Sequence, residues 1–331
     1  MKLVLHIGTE KTGTTSIQAW LEANRAGLSQ QGVFLSSVLD RPSNCALAHA
    51  FQDSVDPYLL PMGITTLAQV KAFRERLTKA LAKEVATSAS THDSMVISSE
   101  QLQSRLLSAR EVDVLADVLG RLFGVVTVVC YLRPQIDMRR SLYSTLVRMG
   151  YTGPLEGFDA EIDETSLYYN HESLADRWAS AFGRDRLVLR EYGRGKLHDG
   201  DIVRDFAKVA LPDLDPNELE FPRGDQNSAL SGAHLAAYRA INRILPFSDG
   251  KGGLKKGNAR AKRIINAALD PIAANLKFLL VSPREQRVGA AIEARFATSN
   301  RRLSEAYFDG SLFATESQHA SEQRDRSRID V

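Results

Sequence analysis

Cysteine is nearly absent. Cys45 and Cys130 are the two in 331 residues, too few for a disulfide framework or a structural zinc site. Cys130 lies in an apolar run and reads as a buried thiol, which fits a reducing compartment and a cytoplasmic location. An excess of charge is also missing. The 42 basic and 40 acidic residues leave a net charge of +2, so there is no global argument for nucleic-acid or membrane-surface binding. No apolar run reaches the length, about 20 residues, that spans a bilayer. "MKLVLHIG" opens on a short apolar run, but polar residues follow at once with no small-residue cleavage site, so no signal peptide is expected. No internal repeat is visible, and nothing sets an oligomeric state. What remains is a chain that is 44% hydrophobic, enough for one large α/β domain or two small ones.

Along the chain, strand and helix signals alternate. Lys2–Ile7 reads as a short apolar strand, 67–86 as a helix, 94–100 as a strand and 106–123 as an amphipathic helix. "GVVTVVCYLR" (124–133) is the most apolar strand and reads as central in a parallel sheet. Residues 135–150 form a helix closed by Gly150, 171–192 read as helix, Gly turn and strand, and 201–210 as a helix. The alternation predicts an α/β fold with a doubly wound, mostly parallel sheet, whose ligands sit at the carboxyl ends of the strands. After about Phe221 the pattern turns helical, over 228–245 with Ser231 as N-cap, 250–265 and 284–308. We expect a single domain over 1–314, with 221–314 a mostly helical extension of it, and a polar, disordered tail over 315–331.

Two stretches carry chemistry. In "LHIGTEKTGTTSIQAWL" (5–21), strand, Gly-containing turn and helix start combine into an anion site: helix-end N–H groups point outward, and the dipole favours negative charge. The glycines let backbone approach an oxyanion, and Thr12, Thr14, Thr15 and Ser16 add hydroxyl donors. Against the nucleotide pattern G-x-x-x-x-G-K-[ST], Gly8, Gly13 and Thr15 fit, but the lysine position holds Thr14. The lysine of the loop is Lys11, about one helical turn upstream. A plain turn with a surface lysine has the same local pattern. The strand before it and the helix after it favour the anion site.

In "YLRPQIDMRRSLYS" (131–144), Arg133 ends the central strand, Pro134 opens the next helix, and Ser141 follows about two turns on. A strand-end arginine and a solvated serine are the ordinary reading. Beside the first site, the pair can grip a second phosphate through forked charge-assisted bonds and a hydroxyl. Two such sites suit a nucleotide with phosphate at both ends.

These residues resemble the sulfotransferases, and bacterial members in particular. "KTGTT" (11–15) is similar to that family's 5′-phosphosulfate loop, K-[ST]-G-T-[TS], and Arg133 with Ser141 to its 3′-phosphate motif. "ISSEQL", "WASAFGRDRLVLREY", "DGDIVRDF" and "DQNSALSGAHLAAYRAIN" extend the resemblance over roughly residues 3 to 245. It implies a P-loop NTPase-like sulfotransferase fold. The donor is then 3′-phosphoadenosine 5′-phosphosulfate (PAPS), with the 3′,5′-bisphosphate PAP as product and no metal expected. A sulfuryl group moves in line to an acceptor hydroxyl or amine, a carbohydrate or other small molecule being the family-level expectation. Lys11 becomes the leaving-group cation at the oxygen bridging sulfur and phosphorus. Thr12, Gly13, Thr14, Thr15 and Ser16 cradle the phosphosulfate, and Arg133 and Ser141 hold the 3′-phosphate. Arg223 and Asn227 lie in a segment that closes over the donor, and Tyr192 is an adenine contact or a rim tyrosine.

The general base is His49 in "NCALAHAF" (44–51), after the second strand, or Glu100 at the tip of "VISSE". Many members of the family it resembles carry a His directly after the Asn, where this chain has Cys45. Glu100 is equally a loop-ordering carboxylate. His6, Trp20 and Trp178 read as core. The basic cluster Lys251, Lys255, Lys256, Arg260, Lys262 and Arg263 steers a polyanion or is a solvated face. Acceptor loops are expected at 36–66 and 150–170, with Tyr58, Tyr151, Tyr168 and Tyr169 able to stack on a sugar. The rival functions are a P-loop nucleotide or small-molecule kinase and a non-catalytic PAP-binding module. Thr14 in the lysine position, and no clear acidic strand end for magnesium, argue against the kinase.

Overall fold

Five short apolar runs pair as parallel strands: β1 Lys2–His6, β2 Val33–Leu35, β3 Ser94–Ser98, β4 Val125–Leu132 and β5 Leu187–Glu191. Their order is β2-β3-β1-β4-β5. The computed structural model describes residues 1–222, 232–246 and 283–313. These fall into two units. The first holds the described residues of Met1–Arg133, Ser166–Gly224 and Thr298–Val331; the second holds those of Pro134–Thr165 and Asp225–Ala297.

In the first unit, strand alternation splits the sheet into two buried faces. Leu3, Leu5, Met95, Ile97, Val128 and Cys130 pack with Leu47, Leu81, Leu115, Leu119 and Trp178. These come from α3 Cys45–Phe51, α4 Leu67–Ser88, α6 Ala109–Leu122 and α8 His171–Phe182. On the other face Val4, Val96, Val129 and Tyr131 meet Ile17, Trp20 and Phe206. These belong to α1 Thr14–Ala23, followed by α2 Arg25–Gln30, and to α9 Ile202–Ala210. Burying each large apolar side chain contributes roughly 1.5–3 kcal/mol. Connections moving one way along the sheet use one face and those moving back use the other, so the fold is doubly wound. Connections leave the adjacent strands β1 and β4 in opposite directions, which opens the ligand crevice of such sheets beyond those two carboxyl ends.

Helix starts follow their caps. Thr66 with Gln69 and Ser108 with Glu111 form capping boxes. The second of these starts α6 at Ala109, later than the apolar pattern from 106, because Leu106 is buried outside the helix. The short helix α5 Gln101–Arg105 precedes it. Pro134 is the N-cap of α7 Gln135–Arg148 (φ −50°, ψ 138°) rather than its first helical residue, since its backbone stays extended.

Residues 36–66 are not the continuous loop the sequence led us to expect. They contain α3, whose seven residues are all buried, and a 3₁₀ turn at Pro57–Met62. A helix buried on every side lacks the amphipathic period that reveals helices.

The second unit contains α7, α10 Gly232–Ile244 and the start of α11 Pro283–Tyr307, which continues into the first unit. Tyr143, Val147, Phe158 and Tyr238 form its core. Arg139, fully buried, donates to Glu285 Oε1 at 2.6 Å and to the carbonyl of Phe158 at 2.6 Å. Ser231, the basic cluster of 251–263 and the tail from 315 lie outside the described residues.

Candidate functional site

The turn after β1 continues the β1–β4 ladder before it bends. Tyr131 N–H donates to the Gly8 carbonyl at 2.6 Å, and Thr9 N–H donates to the Tyr131 carbonyl at 2.9 Å. Thr9 Oγ1 donates to that same carbonyl at 3.0 Å, and Thr12 Oγ1 closes the turn onto the Thr9 carbonyl at 2.6 Å. Lys11 sits at φ 69°, left-handed, with its carbonyl accepting from Arg133 Nη1 at 3.1 Å. Every residue from Gly8 to Thr12 is thus tied to something.

Two glycines are required here. Gly8 has φ 105°, and a Cβ would come within 3.1 Å of Glu100 Cα. Gly13, the N-cap of α1, has φ 82°, and a Cβ would meet Ile202 Cγ2 at 3.0 Å. The first backbone bonds of α1 run from Ser16 and Ile17 N–H to the Gly13 carbonyl, so the amides of Thr14 and Thr15 precede the helical ladder. The Thr14 hydroxyl is buried and has no hydrogen-bond partner among the described residues. Thr15 is exposed and Ser16 half-buried. The glycines serve the turn's left-handed backbone and its packing on Glu100 and Ile202, while the helix-end amides and the unsatisfied buried hydroxyl fit a bound oxyanion.

Arg133 lies beyond the end of β4. Its guanidinium sits over the Tyr192 ring at 5.6 Å, while its carbonyl accepts from His171 Nε2 at 2.8 Å. His171 is buried, and desolvation lowers its pKa to about 4, outweighing the upward pull of that bond. Arg133, Tyr192 and the Lys11 turn are therefore together in the first unit. Ser141 lies half-buried on α7, in the second unit. Arg223 and Asn227 lie outside the described residues.

The two candidate bases have different settings. Glu100 is half-buried against Gly8, and its Oε2 accepts from Gln18 Nε2 at 2.9 Å; that nitrogen also donates to the Ser98 carbonyl at 3.1 Å. His49 is 2% exposed on α3, with its ring stacked on Tyr58 at 4.2 Å. Its Nδ1 lies 3.2 Å from Gln52 Oε1 and 3.6 Å from Asp56 Oδ1, and its Nε2 is buried without a partner among the described residues. Asp56 also pairs with Arg105 at 3.2 Å, so this group ties α3 to α5. Cys45 Sγ reaches Asp40 Oδ2 at 3.4 Å, and burial first, then Asp40, pushes the thiol up.

The aromatic residues differ from expectation. Tyr58 donates to Asp40 and stacks on His49, Tyr168 donates to Glu10 Oε2 at 2.9 Å, and Tyr169 is buried. These rings are spoken for inside the chain; Tyr151, in the second unit, is the exposed one of the four. His6 is core as read: fully buried, Nδ1 2.8 Å from Ser98 Oγ, with desolvation lowering its pKa to about 3. Trp20, Trp178 and Cys130 are likewise buried. Glu10, Gln18, Gln103, Tyr131 and His171 had no sequence signal as site residues, because each acts through a partner far along the chain.

No family model matches. An uncharacterized protein of Archaeoglobus fulgidus is 27% identical over 121 residues, 37% of this chain and 32% of the relative, so the match spans about a third of that relative's length. Among solved structures, a sulfotransferase from Alicyclobacillus acidocaldarius aligns with 92% of this chain and 94% of its own, at 13% identity and a TM-score of 0.42. The sulfotransferase domain of the Synechococcus PCC 7002 olefin synthase aligns with 80% and 94%, at 14% identity and a TM-score of 0.37. One from the curacin biosynthetic pathway aligns with 88% and 96%, at 10% identity and a TM-score of 0.30. At TM-scores below 0.5 these likenesses carry no weight for function, which rests on the loop and its partners. No described helix is long and apolar enough to cross a membrane, and no described group of three or more His, Cys, Asp or Glu could hold a metal ion.

Proposed function

We propose that this chain is a PAPS-dependent sulfotransferase acting on an acceptor hydroxyl or amine, with carbohydrate the first acceptor class to try. The observation that carries the reading is the buried, unpartnered Thr14 hydroxyl at the helix end into which a lysine-containing turn leads. The amides of Thr14 and Thr15 with the hydroxyls of Thr14, Thr15 and Ser16 hold the 5′-phosphosulfate. Arg133 holds the 3′-phosphate, and Tyr192 borders the nucleotide beside it. Lys11 stabilises charge growing on the bridging oxygen as its bond to sulfur breaks, an interaction stronger in the transition state than before it.

In the transfer, the acceptor oxygen bonds to sulfur in line with the departing oxygen, the acceptor proton passes to a protein base, and PAP leaves. Glu100 is our first choice for that base, because it borders the loop at Gly8. His49, its ring stacked on Tyr58 and its Nδ1 near Gln52 and Asp56, better fits a packing role. Labelled PAPS screened against sugars, phenols and amines tests the reading. Sulfated product with wild type, and loss of it with Glu100→Gln but not with His49→Ala, is the expected outcome. Loss with His49→Ala while PAP still binds moves the base to His49. Magnesium-dependent ATP turnover would instead support the kinase.

A further inference from the structure

Glu10 puts a carboxylate one residue before Lys11, in the turn where a polyanionic donor binds on the reading above. A negative charge there opposes the donor unless it is directed elsewhere. Its hydrogen bonds tie it to Tyr168 and Gln103. Glu10 Oε2 accepts from the Tyr168 hydroxyl at 2.9 Å, and Glu10 N–H donates to Gln103 Oε1 at 3.4 Å. Gln103 Nε2 donates to the Tyr168 carbonyl at 3.0 Å, closing a ring of three hydrogen bonds. Gln103 is fully buried. Burial first, and Glu10 second, push the Tyr168 phenol well above the ordinary tyrosine range, so the hydroxyl keeps its proton and remains a donor.

We propose that Tyr168 is a positioning residue that holds the Glu10 carboxylate out of the donor's field and fixes the residue leading into Lys11. This rests on the donor reading. It accounts for an acidic residue inside an anion-binding turn, and it gives the segment after residue 165 a direct hold on the donor loop.

The variant Tyr168→Phe removes one hydroxyl and keeps the carbonyl that Gln103 binds. PAP titrated into the full chain by calorimetry at low ionic strength should bind about tenfold more weakly than to wild type. Adding Glu10→Gln to Tyr168→Phe should restore affinity to within about threefold, and the single-variant loss should shrink in ~0.5 M salt, because screening weakens the repulsion. A brace of purely structural importance would lower the melting temperature of Tyr168→Phe and leave its loss of PAP affinity independent of salt. Binding by Tyr168→Phe equal to wild type, or a loss that neither Glu10→Gln nor salt relieves, overturns the role of Tyr168 and leaves the donor reading standing. Failure of the unmodified chain to bind PAP overturns both. An unchanged circular dichroism spectrum and melting temperature of Tyr168→Phe itself rule out misfolding as the cause of its loss.

Discussion

Lys11 adopts a left-handed φ of 69°, which a lysine has no intrinsic reason to take. Such a conformation costs about 1–3 kcal/mol and persists when the surroundings over-determine it, as the bonds from Arg133, Tyr131 and Thr12 do. Lys11→Gly should therefore melt no lower than wild type, while transfer falls by about 10²–10³-fold, the size of a lost oxyanion donor. A lower melting temperature with turnover intact would reverse the assignment. Gly8→Ala should do the opposite. Its Cβ would press on the Glu100 backbone at 3.1 Å, so stability and PAP binding should fall together, the former by about 1–3 kcal/mol in a urea melt. At this scale the sequence was informative where chemistry is local: Gly8, Lys11, Gly13 and Thr14 stand within one turn and helix start. It was silent on Gln18, Gln103 and His171, whose partners Glu100, Tyr168 and Arg133 are placed by the fold.

Elements joined by buried charge show what ties them. Tyr131 on β4, Arg190 on β5 and the His198 N–H all donate to Asp205 on α9. Burial raises the Asp205 carboxyl, but these bonds outweigh it and hold the group below its usual range. In the second unit, Arg139 and Glu285 are both buried and join α7 to α11. Glu285→Ala leaves a buried guanidinium without its counter-charge and should cost about 3–5 kcal/mol, read as a lower urea midpoint. The strands and long helices were legible because their apolar periods are strong: β1, β4, α4, α8 and α9 lie within a few residues of where periodicity put them. Helix α3 was hidden by its uniform burial. The start of α6 was blurred by Leu106, which is apolar and buried but not helical.

For the molecule as a whole, acid should be destabilising in a defined window. His6 and His171 are buried, with folded pKa values of about 3 and about 4 against an ordinary 6.5. Between those values the unfolded chain binds more protons than the folded one. Stability is therefore intact above about pH 6.5 and falls as pH drops toward 4, by about 1.4 kcal/mol per pH unit per histidine. Melting temperatures from pH 8 to 4 should show this slope, and His171→Gln should reduce it; a slope the same in the variant would remove His171 from the account. Strand alternation implied a doubly wound, mostly parallel sheet with ligands at the carboxyl ends of its strands; the five-stranded order, which brings Arg133 to the Lys11 turn, depends on pairing between distant segments that local periodicity does not encode. Calorimetry with PAP in the presence of a metal chelator tests the central claim most directly. We predict micromolar or tighter binding, lost in Arg133→Ala; absence of heat with PAP, or binding of ATP that requires magnesium, would contradict it.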